Sequence, residues 1–148
     1  MNYLNHLDKA DIKLLKISCK IGTDKMGNNG LSIYAIFDTG ATKSIIEFET
    51  FKKICTTSPT LMYPSQYRVR LPTNNSSCSD EGVCSLNITF LDTHNRKLTI
   101  SSSFLVVSDL REKIYIGLDF IHKFVNFMRF RRNSTNKVDR IKLVLHFV

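Results

Sequence analysis

The sequence predicts an all-β fold, mainly strands with one or two short helices. Short segments of alternating or β-branched apolar residues recur along the chain, and turn residues separate them about every 8 to 12 residues, which is typical of a β-sandwich or barrel. The chain has 148 residues, of which 43% are hydrophobic and 23% charged, as in an ordinary globular domain. We expect residues 1–13 to form an N-terminal arm and residues 14–148 a single domain.

The strands are predicted from period-two patterns and short apolar runs. Ile17, Cys19 and Ile21 alternate with polar residues, and residues 31–37 form an apolar run. The Asn and Gly residues at 27–30 tolerate positive φ, so these two strands are expected to form a hairpin with a long loop. Further strands are predicted at 45–46, 67–71, 85–90, 97–100, 104–107, 113–117, 125–130 and 141–148, and short helices at 47–55 and 118–124.

The charge of the chain is +8, from 21 Lys and Arg against 13 Asp and Glu. The densest cluster is Arg129, Arg131 and Arg132, but no zinc knuckle, RNP-type aromatic motif or helix-turn-helix accompanies it. A solvated basic face is therefore favoured over a specific nucleic-acid site. No apolar run approaches the roughly 18 residues of a membrane-spanning helix, and the N-terminus lacks a signal-peptide pattern, so we expect an intracellular protein without a membrane partner.

The four cysteines do not predict a metal site. Cys19, Cys55, Cys78 and Cys84 form no C-x-x-C pair, and no histidine stands at zinc-like spacing from them. Reduced thiols are the favoured prediction, and a local Cys78–Cys84 disulfide is the alternative. No pattern indicates a cofactor, whether metal, nucleotide or flavin.

The residues around Asp38 are the strongest candidates for chemistry. The apolar strand at 31–37 leads directly into this carboxylate, and Thr39 and Gly40 follow it. A carboxylate among apolar residues costs free energy unless it is hydrogen bonded or functional, and a glycine allows close approach of backbone. Taken alone, the Asp-Thr-Gly triplet fits a turn or a cap as well as an active site.

The longer motif resembles the active-site region of the retropepsin family of aspartic proteases. Residues 35–46 read Ala-Ile-Phe-Asp-Thr-Gly-Ala-Thr-Lys-Ser-Ile-Ile, and residues 115–121 match the family's second mark, an apolar pair before Gly and then a short helix. A polar segment at 73–82 lies between them, where these proteases have the flap. The resemblance covers roughly residues 14–130, and the pattern is closer to proteases of gypsy-type retrotransposons and errantiviruses than to lentiviral proteases.

The resemblance implies a retropepsin-like acid protease barrel and catalysis by two aspartates. Because the chain has a single Asp-Thr-Gly triplet, it would form a homodimer in which each subunit supplies Asp38. Thr39 would hydrogen bond across the dimer, and Gly40 would make backbone contacts at the dyad. The implied substrate-binding residues are Ala41, Thr42, Thr73, Asn74, Asn75 and Tyr115, of which Tyr115 is equally well explained as a core residue.

Two features depart from the retroviral pattern. Thr42 and Lys43 stand where many retroviral subunits carry an acidic residue that holds substrate backbone, and Gly82 is the only glycine between Ser44 and Lys113, although many flaps are rich in glycine. We therefore expect substrate clamping and flap motion to differ from those of retroviral enzymes.

The function implied is that of an aspartic endopeptidase that processes the Gag-Pol polyprotein of a retroelement, in the cytoplasm or within a virus-like particle. Three alternatives stay open at this stage. They are a cellular retropepsin-like protease, a catalytically silent retropepsin-fold module for dimerisation or peptide binding, and a basic nucleic-acid-binding β-domain.

Overall fold

The structure, a computed structural model, describes residues 16–25, 30–38, 40–64, 68–70, 77–79, 81–124, 128–132 and 141–145. The strands are β1 (Lys16–Gly22), β2 (Leu31–Phe37), β3 (Ile45–Glu47), β4 (Met62–Tyr63), β5 (Arg68–Arg70), β6 (Ser77–Ser79), β7 (Gly82–Leu91), β8 (Lys97–Val107), β9 (Ile114–Ile116), β10 (Met128–Arg132) and β11 (Ile141–Leu145). The helices are α1 (Phe48–Thr57) and α2 (Leu118–Phe124). No helix in these ranges is long and apolar enough to cross a membrane.

Seven strands form one sheet in the order β1-β2-β9-β3-β8-β7-β4, and a further pairing of β1 with β7 closes it into a barrel. Most neighbours are antiparallel, but β2 pairs with β9 and β3 pairs with β8 in parallel. The strands β5 and β6 pair with each other, as do β10 and β11. The all-β prediction is confirmed.

The barrel closes around a core that the strand patterns dictate. On β1, Ile17, Cys19 and Ile21 are buried and the residues between them are exposed, as a half-buried strand requires. The rings of Phe37, Phe90 and Phe120 pack together with centroids 6.0–6.4 Å apart. Each such ring contributes roughly 1.5–3 kcal/mol on burial, so this cluster stabilises β2, which ends directly before Asp38.

The predicted elements are largely confirmed, with one clear correction. The hairpin of β1 and β2 is antiparallel, with Cys19 opposite Ile33. Residues 97–107 form one strand, β8, whereas two strands at 97–100 and 104–107 were predicted; the intervening serines pair with 85–87 of β7, which satisfies their backbone groups despite their low apolar content. The predicted N-terminal arm, 1–13, lies outside the described residues.

Three cysteines have described side chains. Cys19, Cys55 and Cys84 are free, and Cys84 is buried on β7. The side chain of Cys78 lies outside the described residues, and the redox state of the thiols stays a prediction.

Candidate active site

Asp38 lies directly after β2, at the point where this strand pairs with β9. Its backbone N–H donates to the carbonyl of Ile116 at 2.8 Å, continuing the parallel pairing in which Phe37 faces Ile116. The residues that precede it on β2, Ala35 to Phe37, are all buried, whereas Asp38 itself is partly exposed. A rigid strand thus carries one carboxylate to the surface of the barrel.

The turn after β2 fixes the orientation of the Asp38 side chain. Gly40 donates its N–H to Asp38 Oδ1 at 2.9 Å, and Ala41 donates its N–H to the Asp38 carbonyl at 3.2 Å. A Cβ atom on Gly40 would lie 3.2 Å from Asp38 Oδ1, closer than most side chains pack. Glycine at this position therefore lets the turn close on the carboxylate.

The start of α2 packs directly on the loop that follows Asp38. Leu118 donates its N–H to the Ala41 carbonyl at 2.8 Å. A Cβ atom on Gly117 would lie 2.6 Å from the carbonyl carbon and oxygen of Lys43 and 2.9 Å from the Ala41 oxygen. Only glycine fits at such a distance, so this backbone-to-backbone contact requires a glycine directly before the helix.

Ser44 connects this loop to α2, and the sequence did not single it out. The residue is fully buried; its Oγ donates to Asp119 Oδ1 at 2.9 Å and accepts the Gly117 N–H at 3.1 Å. Its carbonyl accepts the Leu105 N–H at 2.9 Å. The only signal in the sequence is a small polar residue just before an apolar strand. Asp119 therefore has a structural hydrogen-bonding role.

Tyr115 lies beside β2 in a small apolar cluster. It pairs with Ile36 on β2 and with Ile45 on β3, and only 8% of it is exposed. Burial raises the pKa of its phenol, and among the nearby charges the carboxylate of Asp38 acts in the same direction. The hydroxyl is therefore protonated at neutral pH, and Tyr115 presents a neutral, mostly apolar surface near Asp38.

The other predicted site residues fall into two groups. Ala41 is half-buried and Thr42 is exposed on the loop between Asp38 and β3. Thr39, and the flap candidates Thr73, Asn74 and Asn75, lie outside the described residues. The strands β5 and β6, which precede and follow residues 71–76, form an antiparallel pair, as expected for the two arms of a flap hairpin.

Asp92, in the turn between β7 and β8, has a structural role. It is 5% exposed, and its Oδ1 accepts the N–H groups of His94 and Arg96 at 2.9 and 2.7 Å. Its Oδ2 accepts Arg96 Nε at 2.8 Å. Within the described residues, no three His, Cys, Asp or Glu side chains lie close enough to hold a metal ion.

Comparison with known proteins gives the fold a name. No protein-family profile and no curated protein matches the sequence. Among solved structures, the chain is similar to EIAV protease in complex with the inhibitor HBY-793, with a TM-score of 0.51, 14% identity and coverage of 74% of this chain and 86% of that one. It is also similar to the retroviral protease-like domain of Ddi1 from Leishmania major, with a TM-score of 0.51, 19% identity and coverage of 89% and 95%. The chain has a retropepsin-like fold, as the resemblance predicted.

Proposed function

We propose that the chain is one subunit of a homodimeric aspartic endopeptidase. The observation that carries this proposal is the position of Asp38, a partly exposed carboxylate held by the Gly40 N–H at the end of a buried strand, on a retropepsin-like fold. Since one chain supplies one such carboxylate, a second copy related by a two-fold axis completes the site.

The chemistry follows from two carboxylates that meet at the axis. Like charges so close do not ionise together, so the pair shares one proton. The ionised Asp38 takes a proton from a bound water while the water oxygen bonds to the carbonyl carbon of the substrate. The protonated Asp38 of the other subunit gives its proton to the carbonyl oxygen. As the tetrahedral diol collapses, one of its hydroxyls returns a proton to the carboxylate that is now ionised, the C–N bond breaks, and the amine nitrogen takes a proton from the other aspartate, which restores the dyad.

The residues around Asp38 would bind an extended polypeptide. Gly40 supplies backbone at the dyad, Ala41 and Thr42 border the cleft, and Tyr115 forms part of a side-chain pocket. In the proposal, Thr39 hydrogen bonds across the dimer, and the flap formed by residues 73–75 covers the substrate.

The substrate we propose is the polyprotein of a retroelement. The support is the sequence around Asp38 and Gly117, which resembles proteases of the gypsy type more than lentiviral ones. A cellular substrate is the second candidate, since the similarity to the protease-like domain of Ddi1 extends over 89% of the chain.

A single substitution tests the catalytic assignment. Asp38→Asn should abolish hydrolysis of a peptide library across a range of acidic to neutral pH, while the circular dichroism spectrum and the dimer stay as in the wild type. Glu49→Gln, at an exposed position on α1, makes the same change from carboxylate to amide and should retain full turnover. A pepstatin-like inhibitor should block the wild type. Near-normal turnover by pure Asp38→Asn protein would refute the proposal.

A further inference from the structure

The loop that follows Asp38, residues 40–44, begins and ends beside one apolar cluster. The buried members of this Tyr115 cluster are Ile36, Leu105, Val107, Leu110 and Tyr115. Ile36 lies two residues before Asp38 on β2, and Ile45, the first residue of β3, packs against the same cluster. Both ends of the loop are thus held near Tyr115, next to the candidate catalytic carboxylate.

Lys43 is an exposed cation on this loop. A Cβ atom on Gly117 would lie 2.6 Å from the carbonyl carbon and oxygen of Lys43, so the backbone of α2 touches the loop here. On one side of Lys43, the Thr42 carbonyl accepts the Asp119 N–H at 3.2 Å, and on the other side Ser44 is fully buried. The start of α2 therefore fixes the backbone of Lys43, while the residue itself stays exposed.

A second exposed cation, Arg111, lies on the loop between β8 and β9. The preceding residue, Leu110, is buried and belongs to the Tyr115 cluster, so this loop reaches the cluster directly before Arg111. Burial raises the pKa of the Tyr115 phenol, and among the nearby charges Asp38 raises this pKa and Arg111 lowers it. Both charges are therefore close to the Tyr115 ring.

The acidic side chains near these cations are engaged or offset within the chain. Glu112 forms an ion pair with Lys16, with 3.2 Å between Oε1 and Nζ. Asp119 Oδ1 accepts two hydrogen bonds, one from a side-chain hydroxyl and one from a backbone N–H. Asp109 and Lys113, the other charged residues of the loop between β8 and β9, are both exposed and opposite in sign. A peptide that approaches the Tyr115 cluster therefore meets two exposed cations.

We propose that Lys43 and Arg111 make the cleft select polypeptides with acidic residues close to the scissile bond. This inference rests on the proposed function, in which a peptide lies across Asp38. Charges beside a binding site set specificity, because opposite charges attract and like charges repel. In a two-fold symmetric dimer each cation occurs on both sides of the scissile bond, so acidic residues should be favoured before it and after it.

Charge reversal at single positions tests the proposal. Lys43→Glu and Arg111→Glu each reverse one cation beside the Tyr115 cluster. The matched control is Lys53→Glu, at an exposed position on α1. Lys53 lines a cavity with Leu31, which is at the opposite end of β2 from Asp38, roughly 20 Å along the strand. All three variants change the net charge of +8 equally, so the general attraction of a basic protein for acidic peptides is the same in each.

The probes are peptides that carry Glu, Gln or Lys at one position, from three residues before the scissile bond to three residues after it. Competition assays at low salt give the ratio of kcat/KM for the Glu and Lys peptides. The wild type and Lys53→Glu should favour Glu, whereas Lys43→Glu and Arg111→Glu should each lower the ratio by about tenfold at the position that the substituted side chain reaches. Lys43→Gln should give an intermediate ratio, and added salt should bring all ratios closer to one.

Binding measurements separate this proposal from the protease assignment. Peptides of the same sequences, with an uncleavable hydroxyethylene link in place of the scissile amide, are titrated by fluorescence anisotropy. A preference for Glu in binding that Lys43→Glu or Arg111→Glu removes, without hydrolysis of any peptide, would support the charge selectivity and refute the protease assignment. Hydrolysis with the same ratio in the wild type and both variants, or an equal shift in Lys53→Glu, would overturn the charge selectivity alone. A wild type that neither cleaves nor binds any of these peptides would overturn both.

Discussion

Ser44 Oγ donates a hydrogen bond of 2.9 Å to Asp119 Oδ1, and so joins the loop after Asp38 to the start of α2, 75 residues further along the chain. The same hydroxyl accepts the Gly117 N–H. The Ser44 hydroxyl thus both donates and accepts a hydrogen bond in the interior. Its loss would leave the buried Gly117 N–H without a hydrogen-bond acceptor. We infer that Ser44 is a positioning residue, which fixes the loop that carries Asp38.

Removal of this hydroxyl should destabilise the protein. We expect Ser44→Ala to lower the free energy of unfolding by about 1–3 kcal/mol, since the buried Gly117 N–H loses its acceptor. Urea unfolding followed by circular dichroism measures the change. Ser18→Ala, at an exposed position on β1, should shift the free energy by no more than about 0.5 kcal/mol. If the two variants unfold alike, the hydrogen bonds of Ser44 do not support the loop.

A second prediction concerns alkaline pH and the buried thiols. Burial raises the pKa of Cys19 and of Cys84 to about 12, from 9.0 for an ordinary thiol. Between these values the unfolded chain loses protons that the folded chain keeps, so the free energy of unfolding should fall as pH rises from about 9 to 12. Each thiol contributes at most about 1.4 kcal/mol per pH unit.

The thiol contribution can be isolated by substitution. The double variant Cys19→Ala and Cys84→Ala should show a shallower decline of the unfolding free energy over the same pH range. Lysines and tyrosines titrate in both proteins, so the difference between the two curves belongs to the thiols. Parallel curves would show that the two thiols ionise as easily in the folded protein as in the unfolded chain.

The sequence predicts the local features of this fold well because they depend on near neighbours. The alternation of Ile17, Cys19 and Ile21 identifies the buried face of β1, and an apolar strand followed by Asp38 and Gly40 identifies the turn that holds the carboxylate. Both patterns lie within a few residues, where strand period and turn chemistry act directly.

Features that arise from distant contacts were not predicted. The importance of Ser44 comes from Gly117 and Asp119, more than 70 residues away. The strand β4 has only two residues, Met62 and Tyr63, both exposed, so it shows no period. It exists because β7 provides a free edge for backbone pairing. The parallel pairing of β3 with β8 likewise joins two segments that are far apart in the chain, so the residues near each strand do not predict it.

Tyr115 should control which side chains the proposed cleft accepts. Its ring packs in the cluster that contains Ile36, which lies on β2 two residues before Asp38. Tyr115→Val should enlarge that space and raise kcat/KM for peptides with large apolar residues at the scissile bond, relative to small ones, by roughly tenfold. Tyr115→Phe keeps the ring and should keep the preference. Competition assays with paired peptides measure the ratio, and an unchanged ratio in Tyr115→Val would place the pocket elsewhere.

The final prediction uses inactive chains to test whether two copies build one site. If each site needs Asp38 from both subunits, then a dimer of one Asp38→Asn chain and one wild-type chain should be inactive. With free exchange of subunits, an equal amount of Asp38→Asn added to a fixed amount of wild type should reduce turnover to about half, because only about a quarter of the dimers then have Asp38 in both subunits. Turnover per chain should also fall on dilution, as dimers dissociate into inert halves. Added Glu49→Gln protein, which can pair equally well, should raise turnover instead. Should Asp38→Asn leave the wild-type rate untouched at every ratio after full exchange, a single chain must hold a complete active site.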